Sequence, residues 1–285
     1  MQLVATAGLV PTSARCLLPL KLYQPRSVSE VLEALAAAEH PVIFAGGTDL
    51  VAAFNEGLQP RELVSLAHVA ELHTLEADAQ GVHIGAMVTH HAGCTNEALL
   101  RRAPGFAQAW SRITNPRIRF TGTLAGNLMA RRVRYEGSVL LSAARASLVF
   151  VTTDGTLRLS PRDLWAGAVP QRALLTQIEL PTADLVAYFY ERSMRPLITL
   201  AAGLRRSADG LRLTCAVATE YLRPVLLEVR LPGADLARVA RDARALAAEA
   251  FVQLPDTFFD PVVTRSYARA AGAALLARRL EGVLP

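Results

Sequence analysis

The sequence predicts an α+β protein of about two domains, as its 285 residues also suggest. Three observations support this prediction. Helical and strand-like patterns alternate up to Pro181, three strand-like runs follow in direct succession, and two Ala-rich amphipathic segments close the chain. An antiparallel sheet with helices packed on it is an α+β arrangement.

The first predicted elements are a helix and a buried strand. Ser27 and Glu30 have the spacing of a capping box, and apolar residues repeat at helical intervals over residues 28–35 until His40-Pro41 ends the helix. Residues 42–45 form a short apolar run before Gly46-Gly47, as expected of a buried strand that enters a tight turn. Residues 63–66 predict a second strand of this kind.

The middle of the chain alternates between strands and helices. Residues 82–86 alternate as a strand does, Thr89 can cap a helix that continues toward Arg102, and residues 104–113 predict another helix. Residues 137–147 are small and apolar enough for a buried helix. Asp154-Gly155, between residues 148–152 and 156–159, predicts a hairpin.

A boundary is predicted at residues 181–184, where turn-forming residues cluster. Beyond it, residues 186–191, 198–204 and 211–218 predict an antiparallel meander. Residues 234–251 and 264–279 predict two long helices that pack on this sheet.

Composition excludes several classes of protein. Hydrophobic residues make up 52% and charged residues 19%, which excludes disorder, and no apolar run approaches the ~20 residues that span a bilayer. The net charge is +5. Because Lys21 is the only lysine, almost all of the positive charge is carried by guanidinium groups, which suit bound anions. No Lys/Arg tract is interleaved with aromatic residues, so we expect no nucleic-acid partner.

The cysteines and the N-terminus indicate the compartment. Cys16, Cys94 and Cys215 are far apart in the sequence, which predicts neither a disulfide framework nor a metal motif and favours a reducing compartment. Residues 1–19 have no basic region before their hydrophobic residues, so we interpret them as an extension and not a signal peptide. We therefore expect a cytoplasmic protein without a membrane span.

Three familiar catalytic patterns are missing. All six histidines lie between His40 and His91, but no pair has HExxH spacing, so we interpret them as structural or exposed residues and predict no metal site. The absence of a Gly-x-Ser-x-Gly elbow disfavours a hydrolase. The turn after the first buried strand also lacks the G-x-G-x-x-G of a nicotinamide-binding Rossmann fold.

Two loops of small residues are candidate anion sites. In residues 45–50, adjacent glycines follow a strand and can turn backbone N–H groups around an anion, although a plain strand-to-helix turn explains this loop alone equally well. Residues 121–127 offer small residues, hydroxyls and one amide beside several arginines. Together the two loops favour one cofactor whose pyrophosphate is held between them.

These motifs resemble a known family. In order, Ala45-Gly46-Gly47-Thr48-Asp49-Leu50, Ile84-Gly85-Ala86 and Gly122-Thr123-Leu124-Ala125-Gly126-Asn127-Leu128 resemble the FAD-binding medium subunit of the molybdenum hydroxylases, which include xanthine dehydrogenase and carbon monoxide dehydrogenase. The resemblance extends from about Leu20 to Tyr267-x-Arg269 in the terminal helix. It implies a split FAD-binding domain of the vanillyl-alcohol-oxidase (PCMH) type with a C-terminal antiparallel sheet and helices. The implied division is an extension at 1–19, a small α/β lobe at 20–66, a larger α+β lobe at 67–180 and a C-terminal domain at 181–285.

The resemblance also implies which residues hold FAD. They are Ala45, Gly46, Gly47, Thr48, Asp49, Leu50, Thr123, Ala125, Gly126, Asn127, Glu136 and Arg192, with Arg195 as a second basic candidate. The chain departs from the family pattern at Ala125, at Arg131-Arg132-Val133 and at Glu136, which replaces an aspartate. We expect Gly47 to be the more sensitive glycine, and at least one of Arg131 and Arg132 to act on the flavin. No Cys or His lies in either loop, so we expect non-covalent FAD.

The function implied is electron transfer within a heteromeric molybdenum hydroxylase. The chain would carry FAD and pass electrons from an Fe-S small subunit to an external acceptor, with the molybdenum-pterin and 2Fe-2S centres only in its partners. It would have no catalytic residues of its own, and the assembly would be a dimer of heterotrimers with a molybdenum large subunit. Two alternatives stay open: a stand-alone flavin oxidoreductase of the same fold, and a structural subunit that has lost FAD, which the departures at Ala125 and Arg131-Arg132 motivate.

Overall fold

Three β-sheets organise the residues that the computed structural model describes, which are 19–194, 197–219 and 223–283. The predicted extension lies outside these residues except for Pro19. The observed mixture of helices with parallel and antiparallel sheets confirms the α+β prediction. No helix in the described ranges is long and apolar enough to cross a lipid bilayer.

The first sheet is parallel, with strand order β1-β3-β2. Its elements are β1 Lys21–Tyr23, α1 Val28–Ala37, β2 Pro41–Phe44, α2 Thr48–Asn55 and β3 Glu62–Ser65. Helix α1 begins as predicted, because the Ser27 side chain accepts a hydrogen bond from the Glu30 backbone N–H. Helix α2 follows the Gly46-Gly47 turn directly, so the turn lies at the end of β2.

The second sheet is antiparallel, with strand order β4-β5-β8-β6-β7. Its strands are β4 Leu75–Ala77, β5 Gly81–Gly85, β6 Ser147–Thr152, β7 Gly155–Leu159 and β8 Leu174–Pro181. The β6–β7 hairpin is confirmed, with Thr152 opposite Gly155. Strand β8 was not predicted, yet it is central because it pairs with both β5 and β6.

Seven short helices accompany this sheet in the described part of the chain. They are α3 His90–Cys94, α4 Glu97–Arg102, α5 Pro104–Arg112, α6 Pro116–Arg119, α7 Leu124–Met129, α8 Gly137–Ala143 and α9 Pro161–Ala166. The single helix expected from Thr89 to Arg102 is two helices, because the Asn96 side chain caps α4 through the N–H groups of Ala98 and Leu99. Helix α8 ends before the predicted limit because Arg145 takes a left-handed φ of 55°.

The third sheet is the predicted meander with one added strand, in the order β12-β11-β10-β9. Its elements are β9 Leu185–Arg192, β10 Thr199–Ser207, β11 Gly210–Ala218, β12 Val225–Pro232, α10 Leu236–Arg241, α11 Ala243–Val252 and α12 Arg265–Glu281. The helix predicted over residues 234–251 is divided at Asp242, which ends α10 and precedes α11. A core of apolar side chains fills the space between this sheet and the three helices.

An ion cluster around the buried Glu191 carboxylate joins the third sheet to helices α5 and α12. The Glu191 side chain on β9 is 6% exposed and lies 3.3 Å from the Arg112 guanidinium and 3.0 Å from that of Arg278. Arg279 donates to the same carboxylate from Nε at 2.9 Å. Burial alone would raise the pKa of Glu191, but the hydrogen bonds and charge of Arg279 outweigh it and hold the pKa below its ordinary value.

Candidate functional site

A cleft of about 620 Å³ lies where the first sheet meets the loops before α2 and α7. This volume is within the range of small-molecule pockets. The wall contains eleven of the twelve residues that the resemblance implies for FAD, namely Ala45, Gly46, Gly47, Thr48, Asp49, Leu50, Thr123, Ala125, Gly126, Asn127 and Glu136. Arg192 is not part of the wall, but its guanidinium lies 3.3 Å from the Glu136 carboxylate. Arg195 lies outside the described residues.

The first loop presents unpaired backbone N–H groups. Gly47 has a left-handed φ of 73° and precedes α2 without a side-chain cap. The backbone N–H groups of Thr48, Asp49 and Leu50 have no acceptor within the described residues. A helix N-terminus with free N–H groups and the positive end of the helix dipole favours a bound anion.

The two loops pack backbone against backbone at Gly46. A Cβ atom there would overlap the Thr121 carbonyl oxygen and lie 2.7 Å from the Thr121 carbonyl carbon and 2.9 Å from the Gly122 Cα. At Gly47 a Cβ atom would meet the end of the Phe44 ring at 2.6 Å. The sequence singled out Gly47, but the closer approach of the backbone is at Gly46.

The Asp49 carboxylate is occupied by two neighbouring side chains. Tyr135 donates from its hydroxyl to Asp49 Oδ1 at 2.6 Å, and Arg132 donates from Nε to the same oxygen at 3.2 Å. Burial and the hydrogen bond to Asp49 raise the pKa of Tyr135 to about 12, so the hydroxyl stays protonated. Asp49 therefore links the first loop to residues 132–135, and Arg132 offsets its negative charge.

The second loop fixes the orientation of Asn127. Thr123 caps α7 by accepting a hydrogen bond from the Gly126 N–H at 2.9 Å. Asn127 Oδ1 accepts from the Gly137 N–H at 3.1 Å. Because the side-chain oxygen is occupied, the Asn127 NH₂ group, which has no acceptor in the described ranges, can donate to a ligand in the cleft.

Glu136 connects the cleft to the third sheet. Its carboxylate accepts a short hydrogen bond from the Tyr190 hydroxyl and pairs with Arg192, and both residues lie on β9. Burial and the Glu136 charge raise the pKa of Tyr190 well above its ordinary value, so the hydroxyl stays a donor. These contacts hold the Glu136 side chain in one orientation at the cleft wall.

The arginines of residues 131–134 have different roles. Arg134 is exposed, lies on the cleft wall and has no ion pair within the described residues. Arg132 pairs with Asp49, and Arg131 has a φ of 50° and does not line the cleft. The sequence pattern singled out Arg131 and Arg132, whereas the structure identifies Arg134 as the member of this cluster on the wall.

His90, which the sequence predicts to be structural or exposed, lies on the cleft wall. Its side chain is buried, and Trp110 donates from Nε1 to His90 Nδ1 at 2.8 Å. Burial, followed by the charge of Arg119, lowers the pKa of His90 to about 4, so the ring is neutral near pH 7. The only sequence signal was its position just after Thr89, since its partner Trp110 is 20 residues away.

Comparison with known proteins decides the family. Residues 18–183, more than half of the chain, match the model of the FAD binding domain in molybdopterin dehydrogenase. The chain belongs to this family. The FAD-binding molybdopterin dehydrogenase domain thus accounts for the first two sheets and both loops, and the family resemblance noted in the sequence is confirmed.

Two relatives of this FAD-binding domain are named as subunits of dehydrogenases. The nicotinate dehydrogenase FAD-subunit of Eubacterium barkeri is 26% identical over 171 residues, which cover 56% of this chain and 58% of the relative. The carbon monoxide dehydrogenase medium chain of Afipia carboxidovorans is 26% identical over 198 residues, covering 66% and 69%. The alignments therefore span between about half and two thirds of each protein.

Solved structures share the fold over nearly the whole chain. Quinoline 2-oxidoreductase from Pseudomonas putida 86 superposes with a TM-score of 0.76 at 22% identity and covers 95% of this chain and 100% of its own. Carbon monoxide dehydrogenase from Hydrogenophaga pseudoflava gives a TM-score of 0.74 at 19% identity, with coverage of 93% and 96%. The predicted fold, including the C-terminal sheet and helices, is confirmed.

Proposed function

We propose that this chain binds FAD non-covalently in the cleft and serves as the FAD-carrying electron-transfer subunit of a heteromeric molybdenum hydroxylase. The observation that carries the proposal is the convergence of both glycine-containing loops on one cleft, with the unpaired N–H groups of α2 on its wall. When bound, FAD supplies the redox chemistry, and the protein supplies binding, orientation and electrostatics.

The polar wall suits a pyrophosphate. The N–H groups of Thr48 to Leu50 and the Asn127 NH₂ group are unpaired donors within the described structure. Arg134 adds a positive charge to the same wall, and Asp49 is already paired with Arg132. Each of these features favours an anion over an uncharged ligand.

The remaining wall suits flat apolar rings. Ile43, Ile113, Ile118 and Leu174 contribute aliphatic surface to the cleft. Aliphatic walls exclude water from a bound ring system and strengthen hydrogen bonds made beside it. The Glu136 carboxylate, which Tyr190 and Arg192 hold in place, would orient the flavin part of the cofactor.

The proposed partners carry the other redox centres. An Fe-S small subunit would hold the 2Fe-2S clusters, and a molybdenum large subunit would hold the molybdenum-pterin and oxidise the substrate. Of the described cysteines, Cys94 and Cys215 are buried in different cores, so they cannot share a cluster. We further propose a dimer of heterotrimers in the cytoplasm.

Release of the cofactor tests this proposal. The full chain, alone and in the complex that copurifies with it, is denatured with acid, and the supernatant is analysed for FAD and FMN. We expect about one FAD per chain in the supernatant. Release of FMN, absence of flavin from the complex, or flavin that stays attached to a wall peptide such as one containing His90 would contradict the proposal.

Turnover separates the subunit from a stand-alone enzyme. We expect organic substrates to reduce the flavin of the isolated chain slowly and the flavin of the chain in its complex rapidly. Oxidation of an organic substrate by the isolated chain at ordinary enzymatic rates would replace electron transfer with the stand-alone oxidoreductase.

A further inference from the structure

We propose that His90 donates a hydrogen bond from Nε2–H to an acceptor atom of FAD, and that Trp110 acts as a positioning residue by determining which ring nitrogen carries the proton. The inference rests on the proposed function, because FAD is the ligand. It adds to the site a residue that lies in neither glycine-containing loop.

The tautomer follows from the chemistry of the partner. The indole N–H of Trp110 can only donate, and it lies 2.8 Å from His90 Nδ1. Nδ1 must therefore be the unprotonated nitrogen of the neutral ring, and the proton is on Nε2. Nε2 has no hydrogen-bond partner in the part of the chain that the structure describes, although His90 belongs to the cleft wall.

Both rings are held in place by backbone contacts. The backbone N–H of His90 donates to the Gly122 carbonyl at 2.9 Å, and Thr89 forms a β-bridge with Thr123. These contacts join the histidine to the second loop. The Trp110 indole lies so close to Gly93 that a Cβ atom there would overlap the ring. A donor held by packing in this way loses little entropy when it binds a ligand.

The surroundings of His90 also determine its charge. Burial and the charge of Arg119 lower the pKa of His90 to about 4, so the ring remains uncharged at any pH well above that value. The histidine therefore contributes a directional donor and adds no charge to the cleft.

The protonation state is tested directly by ¹⁵N NMR of the imidazole groups in the full chain freed of FAD. We expect His90 to show an unprotonated Nδ1 and a protonated Nε2 between pH 6 and 8. Trp110→Phe removes the donor to Nδ1 and should give a mixture of tautomers. A parent spectrum with the proton on Nδ1 would overturn the inference, whatever the affinity for FAD.

The contact is tested by titrating apoproteins with FAD. His90→Gln keeps a neutral N–H donor near the position of Nε2, whereas His90→Leu removes it. Because one neutral hydrogen bond contributes modestly, we expect His90→Leu to weaken FAD binding about three- to tenfold and His90→Gln to stay within about twofold of the parent. In the parent, FAD should also shift the His90 Nε2 resonance.

The outcomes separate this inference from the proposed function. If the parent binds FAD and His90→Leu binds it equally tightly, with no shift at Nε2, the contact is wrong and the proposed function stands. If the parent apoprotein binds no FAD, both are wrong. The unfolding of each variant is measured in parallel, so a folding defect is recognised from the melting curve, and the parent resonance shift then decides the contact.

Discussion

Replacement of Gly46 by alanine should weaken FAD binding more than the same replacement of Gly47 or Gly233. A Cβ atom at this position would lie 2.7 Å from the Thr121 carbonyl carbon, where an ordinary contact is about 3.5 to 4.0 Å. The obstacle is backbone and cannot rotate away. The two loops must therefore separate by about 1 Å.

The cost follows from this separation. Overpacking of this kind typically costs about 1–3 kcal/mol. The empty protein can relieve the clash by letting the loops part, whereas the bound state needs both loops against the cofactor. The strain therefore appears as lost affinity, and FAD binding should weaken roughly five- to 150-fold.

Two further glycines provide matched controls. Gly233 has a φ of 62°, and a Cβ atom added there would have no neighbouring atom within 4 Å, so Gly233→Ala adds backbone strain of about 1 kcal/mol without a clash. Gly47→Ala combines similar strain with contact to the Phe44 ring, which can turn aside. We expect Gly233→Ala to bind FAD as the parent does, and Gly47→Ala to be intermediate.

The assay is fluorescence titration of each apoprotein with FAD, accompanied by urea unfolding. Parent-like affinity in Gly46→Ala would show that contact between the loops is not needed for binding. A loss in Gly233→Ala as large as that in Gly46→Ala would show that global strain, and not loop geometry, controls affinity.

Three further predictions concern charged and titratable groups. Glu191→Gln should lower the free energy of unfolding in urea by about 1–3 kcal/mol, less than a fully buried pair would, because its arginines are partly exposed and can be hydrated. The exposed Glu97 provides the control, since Glu97→Gln should change stability by less than about 0.5 kcal/mol. Arg134→Ala should weaken FAD binding roughly two- to fivefold at low salt and less at high salt, because Arg134 lies on the cleft wall. Arg131→Ala, the control, should leave the affinity unchanged. A larger loss of affinity in Arg131→Ala than in Arg134→Ala would instead favour the expectation from sequence that Arg131 acts on the flavin. For His90, the folded pKa of about 4 lies below the unfolded value near 6.5, so the unfolded state binds the proton first and the free energy of unfolding should fall as the pH drops from about 6.5 to 4. The contribution is on the order of 2–3 kcal/mol, and parallel pH profiles for the parent and His90→Gln would refute it.

Local signals in the sequence predicted a large part of the fold. The Ser27 cap of α1 and the Asp154-Gly155 hairpin depend on contacts within a few residues, and both are present. The first loop was recognisable because glycine at a strand end has a local conformational cause, as the φ of 73° at Gly47 shows. The second loop, between α6 and α7, was recognisable from its small residues, hydroxyls and amide. Strands β8 and β12 escaped prediction. Strand β8 is central because it pairs with both β6 and β5, and its pairing with β5 spans more than 90 residues.

Tertiary structure decided which residues outside the two loops reach the cleft and which partners the side chains take. The Arg131 to Arg134 cluster has one sequence signature, and its members are distinguished only in the folded chain, where Arg132 pairs with Asp49, 83 residues away, and Arg134 lies on the cleft wall. The pairing of Glu136 with Tyr190 spans 54 residues, and the proton position on His90 depends on an indole 20 residues later. The sequence by itself was enough to recognise the family and the two loops, because short runs of neighbouring residues carry both. Side-chain partners are chosen by packing between distant segments, so the electrostatic character of the cleft could be read only after the chain had folded.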